Sequence, residues 1–223
     1  MKTLECRGIT LSDKQTKICV PITGTDLEEI KEQAEKIANM NPDVVEWRAD
    51  FYDVKDNDET EFEQCLKAIN DNLKNIPIIY TYRTSNEGGE KSIDVDDYCR
   101  LCKYVSEISE KYNVAMIDVE LYENKDRKDI GKLLLDIKST GVKVIGSNHH
   151  FEGTPSEKDI FNVLKTMEEA GADICKIAVM PKEKVDVKTL INASKKANKE
   201  LNAPIITMSM GELGAVTRIC TRM

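Results

Sequence analysis

Short runs rich in valine and isoleucine alternate with longer charged segments of helical period, and this alternation limits the possible folds more than any other feature of the chain. The apolar runs fall at 17–22, 43–48, 76–82, 114–120, 142–147, 173–179 and 203–208. They begin roughly every 30 residues, the length of a strand plus a crossover helix. A strand that returns in the same direction needs such a crossover, so parallel pairing is expected. The segments between, at 26–39, 59–73, 94–111, 126–139, 156–170 and 186–201, repeat apolar residues near helical spacing. The first places Leu27, Ile30, Ala34, Ile37 and Ala38 behind Thr25, the expected cap. Pro155-Ser156 reads as a helix start, and Gly141 and Gly171 stand just past helix ends.

No linker, low-complexity stretch or shift in composition divides the chain, so a single domain over 1–223 is expected. Seven strand–helix units point to an α/β fold, the (β/α)8 TIM barrel, typically about 250 residues long. Residues 4–11 are expected to pair as an N-terminal hairpin under its floor. The alternative is a doubly wound open sheet. That fold usually carries a glycine-rich phosphate loop after its first strand, whereas here the first run leads into Pro21-Ile22-Thr23-Gly24-Thr25-Asp26.

Composition narrows the function classes. Of 223 residues, 32% are charged and 40% hydrophobic, as in a globular protein. Lys and Arg total 32 against 40 Asp and Glu, a net charge of −8, and the pI is near 5.0. No nucleic-acid partner is expected, because such proteins usually show a basic face. Mean hydropathy is −0.43, and no stretch approaches the roughly 18 apolar residues of a membrane span. The first residues lack the apolar centre of a signal peptide. Seven cysteines, at irregular spacing, then suit reduced thiols in the cytoplasm. Cys99-x-x-Cys102 stands alone, without a second pair or a nearby histidine to complete a zinc site.

The polar residues at the carboxyl ends of the predicted strands carry the chemistry, because that end is the active rim of a barrel. Side chains alternate along a strand. Val45 and Trp47 therefore face the helices while Val44, Glu46 and Arg48 face inward, Glu46 and Arg48 as site residues or as a plain ion pair. Likewise Lys176, Ala178 and Met180 face in, and Ile177 and Val179 face out. Asp118 and Glu120 share one face, as site residues or as a solvated rim. The third run ends at Arg83, before a loop with Glu87-Gly88-Gly89-Glu90. The fifth ends in Ser147-Asn148-His149-His150, which holds both histidines of the chain.

An inward lysine among Cys175, Ile177 and Ala178 is costly unless partnered or neutral. Near other cations its pKa falls, and it can attack a ketone as a free amine. The imine so formed acidifies the adjacent C–H, and a histidine that titrates near neutrality can take that proton. A carboxylate such as Glu87 can orient an imidazole, and arginines offer forks for a substrate carboxylate. The residues therefore describe a Schiff-base lyase or aldolase acting on a small carboxylated keto compound. No metal or other cofactor is needed for this chemistry.

Six motifs then occur in order between residues 17 and 218: Glu46-Trp47-Arg48-Ala49-Asp50; Thr81-Tyr82-Arg83 with Glu87-Gly88-Gly89-Glu90; Ile117-Asp118-Val119-Glu120-Leu121; Ser147-Asn148-His149; Lys176-Ile177-Ala178-Val179-Met180-Pro181; and Met208-Ser209-Met210 with Gly214 and Arg218. In these the chain resembles the type I 3-dehydroquinate dehydratases, Schiff-base enzymes of the shikimate route. The resemblance implies that Lys176 forms the imine with the C3 ketone of 3-dehydroquinate. It implies that His149 removes a C2 proton and then helps the C1 hydroxyl leave as water, giving 3-dehydroshikimate. Glu87 is implied to position His149, Arg218 to anchor the substrate carboxylate, and Glu46, Arg48 and Arg83 to hold ring hydroxyls and order the site. It implies no cofactor and no metal, and a homodimer is common among such enzymes.

Three departures from the family pattern stand out. Pro21 replaces a small polar residue, and His150 replaces the Asp or Asn often found after the catalytic histidine. The chain also ends at 223, before the family's last motifs, so the eighth strand, its loop and the final helix are expected to be missing. An inactive barrel remnant is accordingly the alternative to an active dehydratase, and another Schiff-base barrel lyase or aldolase is a third reading.

Overall fold

The computed structural model describes residues 2–12, 15–53, 58–122 and 127–219. The start of the predicted fourth helix, at 126, and the tail 220–223 with Cys220 lie outside them. The chain opens with an antiparallel hairpin, β1 (Thr3–Cys6) and β2 (Ile9–Ser12). Strands and helices then alternate: β3 (Cys19–Ile22), α1 (Leu27–Ala38), β4 (Val44–Arg48), α2 (Glu59–Leu73), β5 (Ile78–Thr81), α3 (Val95–Glu107), β6 (Val114–Glu120), α4 (Lys128–Ser139), β7 (Lys143–His150), α5 (Glu157–Glu169), β8 (Ile174–Val179), α6 (Lys184–Glu200), β9 (Ile205–Ser209) and α7 (Val216–Ile219).

The strands β3 to β9 pair in sequence order, all parallel, in one curled sheet of seven among the described residues. The alternation of side chains settles which residues meet the helices. Val45, Trp47, Tyr80, Ile117, Val119, Ile177 and Val179 pack outward into the large core shared with α1 to α6. Val44, Ile79, Met116, Ile145 and Ile174 face the other way, into a second cluster inside the curl. Cys6 and Ile9 of the hairpin join that inner cluster, so the hairpin plugs the floor as expected.

Sequence reading misplaces the first helix cap by one residue. Asp26, not Thr25, caps α1, its carboxylate accepting from the Glu29 N–H at 2.9 Å. Thr25 instead donates its hydroxyl to the Glu29 carboxylate. Ser156 caps α5 as its sequence predicts, and Gly141 and Gly171 take left-handed φ values just past α4 and α5. The predicted third helix overshoots, because α3 stops at Glu107.

Among the described residues β3 and β9 do not pair, so the sheet curls without closing. A cleft of about 780 Å³ lies at this seam, lined among others by Ile18, Cys19, Leu190, Ile206, Met208 and Arg218. No described helix is long and apolar enough to cross a membrane.

Candidate active site

Five adjacent strands bring their carboxyl ends together around Lys176. In the register of the sheet, Lys176 lies opposite Ser147 of β7, and Glu120 of β6 lies opposite Ser147 on its other side. Parity alone therefore turns Asp118, Glu120, Ser147, His149 and Lys176 to one face.

Lys176 donates its Nζ to the Asp118 carboxylate at 2.9 Å and to Glu46 at 3.5 Å. Burial pulls the Lys176 pKa down, but Asp118 and Glu46 more than offset this and hold it above its ordinary value. Here the structure corrects the sequence reading. From the residue types, a lysine near other cations is expected to have a lowered pKa and to be a free amine. The nearest groups are carboxylates, and the resting side chain is an ammonium. Glu46 is fixed in turn by the Thr81 hydroxyl, which donates to it at 2.8 Å.

Arg83 is the tie between strands. It is 3% exposed. It donates to Asp118 at 2.7 Å, to the Ser147 hydroxyl at 2.9 Å and to Glu120 at 3.2 Å, and it stands 3.6 Å from Glu87. Burial would lower the Arg83 pKa, yet Asp118, Glu120 and Glu87 raise it. Asp118 also accepts from Ser147 at 2.5 Å. Burial favours its neutral form, but Arg83 and Lys176 hold its pKa well below the carboxylate range. Glu120 accepts from the Thr84 N–H and hydroxyl, both at 2.7 Å. Asp118 and Glu120 are thus buried, not a solvated rim.

His149 and Glu87 form a pair with Nδ1 2.9 Å from Oε2. Burial, with Arg83 and Lys176 nearby, pushes the His149 pKa down to about 2. Burial and Glu120 push Glu87 up to about 8 against the pull of Arg83. Both directions disfavour the ion pair. The sequence reading had the imidazole titrating near neutrality; in this setting it stays neutral and the carboxyl titrates. The loop that carries Glu87 depends on two glycines. Gly88 has φ +80°, and a Cβ there would lie 2.2 Å from the Phe151 ring, while a Cβ on Gly89 would lie 1.8 Å from the Arg83 carbonyl oxygen. The Phe151 ring also stacks beside the His149 ring, with centroids 6.5 Å apart.

Arg48 belongs to a satellite of this group. Asp50 accepts from its Nε at 2.8 Å and its Nη2 at 2.7 Å, and the guanidinium lies over the Phe51 ring. Asp50 is fully buried and also accepts from the Arg83 and Glu90 N–H groups. The structure so gathers Lys176, His149, Glu87, Glu46 and Arg83 and sets Arg48 at their margin. Arg218 is different. It lies exposed on α7, beside the seam, and among the described residues no ion pair joins it to Lys176 or its neighbours. The sequence assigns no role to Asp50 or Ser147, and leaves Asp118 as either a site residue or a solvated rim. Strand parity was the signal available for Asp118 and Ser147. Among the described residues no group of three or more His, Cys, Asp or Glu is placed to hold a metal ion, and the six described cysteines are free thiols.

A parallel α/β sheet with a mostly enclosed lysine, an imidazole–carboxyl pair and a surrounding salt network fits the class of lysine-centred α/β lyases. The sequence profile of the type I 3-dehydroquinase family matches residues 18–223. The chain is 38% identical to the 3-dehydroquinate dehydratase of Listeria monocytogenes serotype 4a and 41% identical to that of Bacillus licheniformis, each over 98% of this chain and 84% of the relative. Among solved structures, the 3-dehydroquinate dehydratase of Geobacillus kaustophilus superposes with a TM-score of 0.92 at 32% identity, over 99% of this chain and 83% of that one. The type I 3-dehydroquinate dehydratase of Clostridium difficile, with covalent modified comenic acid, gives 0.93 at 36% identity, over 100% and 86%. The chain belongs to the type I 3-dehydroquinase family.

Proposed function

We propose that this chain dehydrates 3-dehydroquinate to 3-dehydroshikimate by syn elimination through a Lys176 Schiff base, in aromatic amino acid biosynthesis. The observation that carries the reading is that Lys176 of β8 shares a face with His149 of the adjacent β7, whose Nδ1 is paired with Glu87 from the loop after β5. Lys176 condenses with the C3 ketone and expels water. The iminium draws electrons from the neighbouring carbon, and neutral His149 takes the C2 proton once the Glu87 carboxylate holds its Nδ1–H. The same imidazolium then protonates the departing C1 hydroxyl.

Glu46 and Arg48 hold ring hydroxyls at the rim, Arg83 orders the carboxylates around the lysine, and Arg218 anchors the substrate carboxylate from α7. What supports the assignment of Arg218 is its motif and its open position; its guanidinium is free to meet an anion. The curled sheet and its plugged floor support reading the chain as a single domain, a (β/α)8 barrel with seven strands among the described residues. The proposed enzyme needs no cofactor.

The test is to incubate the purified protein with 3-dehydroquinate and borohydride, read the intact mass and map the adduct. A reduced ligand on Lys176, together with formation of 3-dehydroshikimate, is the expected result. A folded sample that yields neither adduct nor product would overturn the reading, and turnover of aldol donors instead would reassign it to an aldolase.

A further inference from the structure

We propose that Asp118 is a positioning residue that serves as the permanent counter-ion of Lys176, keeping the imine nitrogen protonated after the substrate has joined it. The inference rests on the Schiff-base reading above and adds a group to it. The charge balance motivates it. Condensation of an alkylammonium with a ketone gives a protonated imine and one water, so the single positive charge on Nζ is the same before and after. A carboxylate that pairs with the ammonium therefore faces the iminium without moving. A protonated imine is an effective electron sink, and a neutral one is a poor sink.

The geometry suits a fixed counter-ion. Asp118 is 1% exposed, and its two oxygens are divided. Oδ1 accepts from Arg83 and Ser147, at 2.7 and 2.5 Å, while Oδ2 accepts from Lys176 at 2.9 Å. The first two bonds hold the carboxylate in place whatever happens at Nζ. The other titratable and charged groups facing the lysine are Glu46 from β4, Arg83 beyond β5, His149 from β7 and the Cys19 thiol on β3. Arg83 repels the charge on Nζ. Burial, with Glu46 adding to it, pushes the Cys19 thiol up to about 12, so it stays neutral, and His149 is neutral too. Glu46 is farther from Nζ, at 3.5 Å, and its Oε1 also accepts from Thr81. Asp118 is the one carboxylate here held from behind by two donors while it faces the amine.

The experiment follows kcat and the yield of borohydride-trapped adduct against pH, in the wild type and in Asp118→Asn. Loss of the carboxylate lowers the pKa of the imine nitrogen. The alkaline limit of both curves is then expected to move down by about one pH unit or more, as removal of a close opposite charge does. An Asp118→Asn enzyme whose kcat is uniformly lower but whose limits coincide with the wild type overturns the counter-ion role. If that variant does not fold, Ser147→Ala decides. It strips a hydrogen bond from Asp118, leaves more charge for Nζ, and is expected to move the limits upward; unmoved limits overturn the proposal. Wild-type protein that forms neither adduct nor product overturns the dehydratase reading itself, a result distinct from these.

Discussion

Arg83 and Arg218 each follow a strand of the same sheet and live in opposite surroundings. Arg83, between β5 and the loop of Glu87, is buried and tied to Asp118, Glu120 and Ser147. Arg218, past β9, is exposed and free of ion pairs among the described residues. The first region, at the carboxyl ends of β4 to β8, is a cross-linked network in which Arg83 meets Asp118 and Glu120, Lys176 meets Asp118 and Glu46, and Arg48 meets Asp50. The second, from β9 to α7, borders the seam and presents its cation to solvent. A buried guanidinium whose donors are engaged by carboxylates organises a site. An exposed one can still capture an anion, and the difference separates building the site from loading it.

The comparison breaks most sharply at the lysine. Lys176→Ala is expected to abolish the trapped adduct and reduce turnover by roughly 10⁴-fold or more, as loss of a covalent nucleophile does; steady-state kinetics with 3-dehydroquinate measure it. Next comes Arg83→Met, which leaves Asp118, Glu120 and Glu87 buried without their shared cation. A loss of about 3–5 kcal/mol in urea unfolding is expected, the scale for breaking a buried pair from one side. A smaller change near 1 kcal/mol would show that the network reorganises instead.

The acid–base pair gives a pH signature of intermediate size. With burial and Glu120 pushing its pKa up to about 8, Glu87 is expected to hold its proton below that pH and share it with His149 Nδ1, 2.9 Å away. As pH rises through that value the proton leaves, Nδ1–H turns to the carboxylate, and Nε2 becomes a free base. Activity is therefore expected to climb with pH through a midpoint near 8 and, in Glu87→Gln, to lose that climb. The least effect on stability belongs to Arg218→Ala, which should stay within about 0.5 kcal/mol of the wild type in the same urea titration, as exposed substitutions do. Its effect should fall on KM. Unchanged KM would remove Arg218 from substrate binding and leave the open region without a role.

Much of this was legible in the chain. The recurrence of apolar runs yields the parallel order, and a period of two correctly turns Glu46 and Lys176 inward while Trp47 and Ile177 face the helices. What was not legible is who meets whom across strands. Lys176 and Asp118 are 58 residues apart, and their contact depends on the register of β6, β7 and β8. The sign of the lysine's pKa shift therefore could not be read from the residue types: the same cluster holds cations and carboxylates, and only distance decides between them. The bond from Arg48 to Asp50 was hidden for another reason. It forms because the chain turns sharply after β4, through a short 3-10 turn over Ala49–Phe51.

Among the described residues the curled sheet has two unpaired ends, so it has outer and inner staves, and these should open on different clocks. Amide hydrogens on β3 and β9 are expected to exchange with deuterium soonest and those on β6 and β7 last, a gradient that mass spectrometry of peptide fragments would resolve. Lys176 sits on β8, one strand in from an end, while Asp118 and His149 ride on the inner pair. The stave holding the nucleophile is thus flanked on one side by the slowest part of the sheet and on the other by its fastest, so that a transient opening of β9 would leave the lysine and its partners assembled.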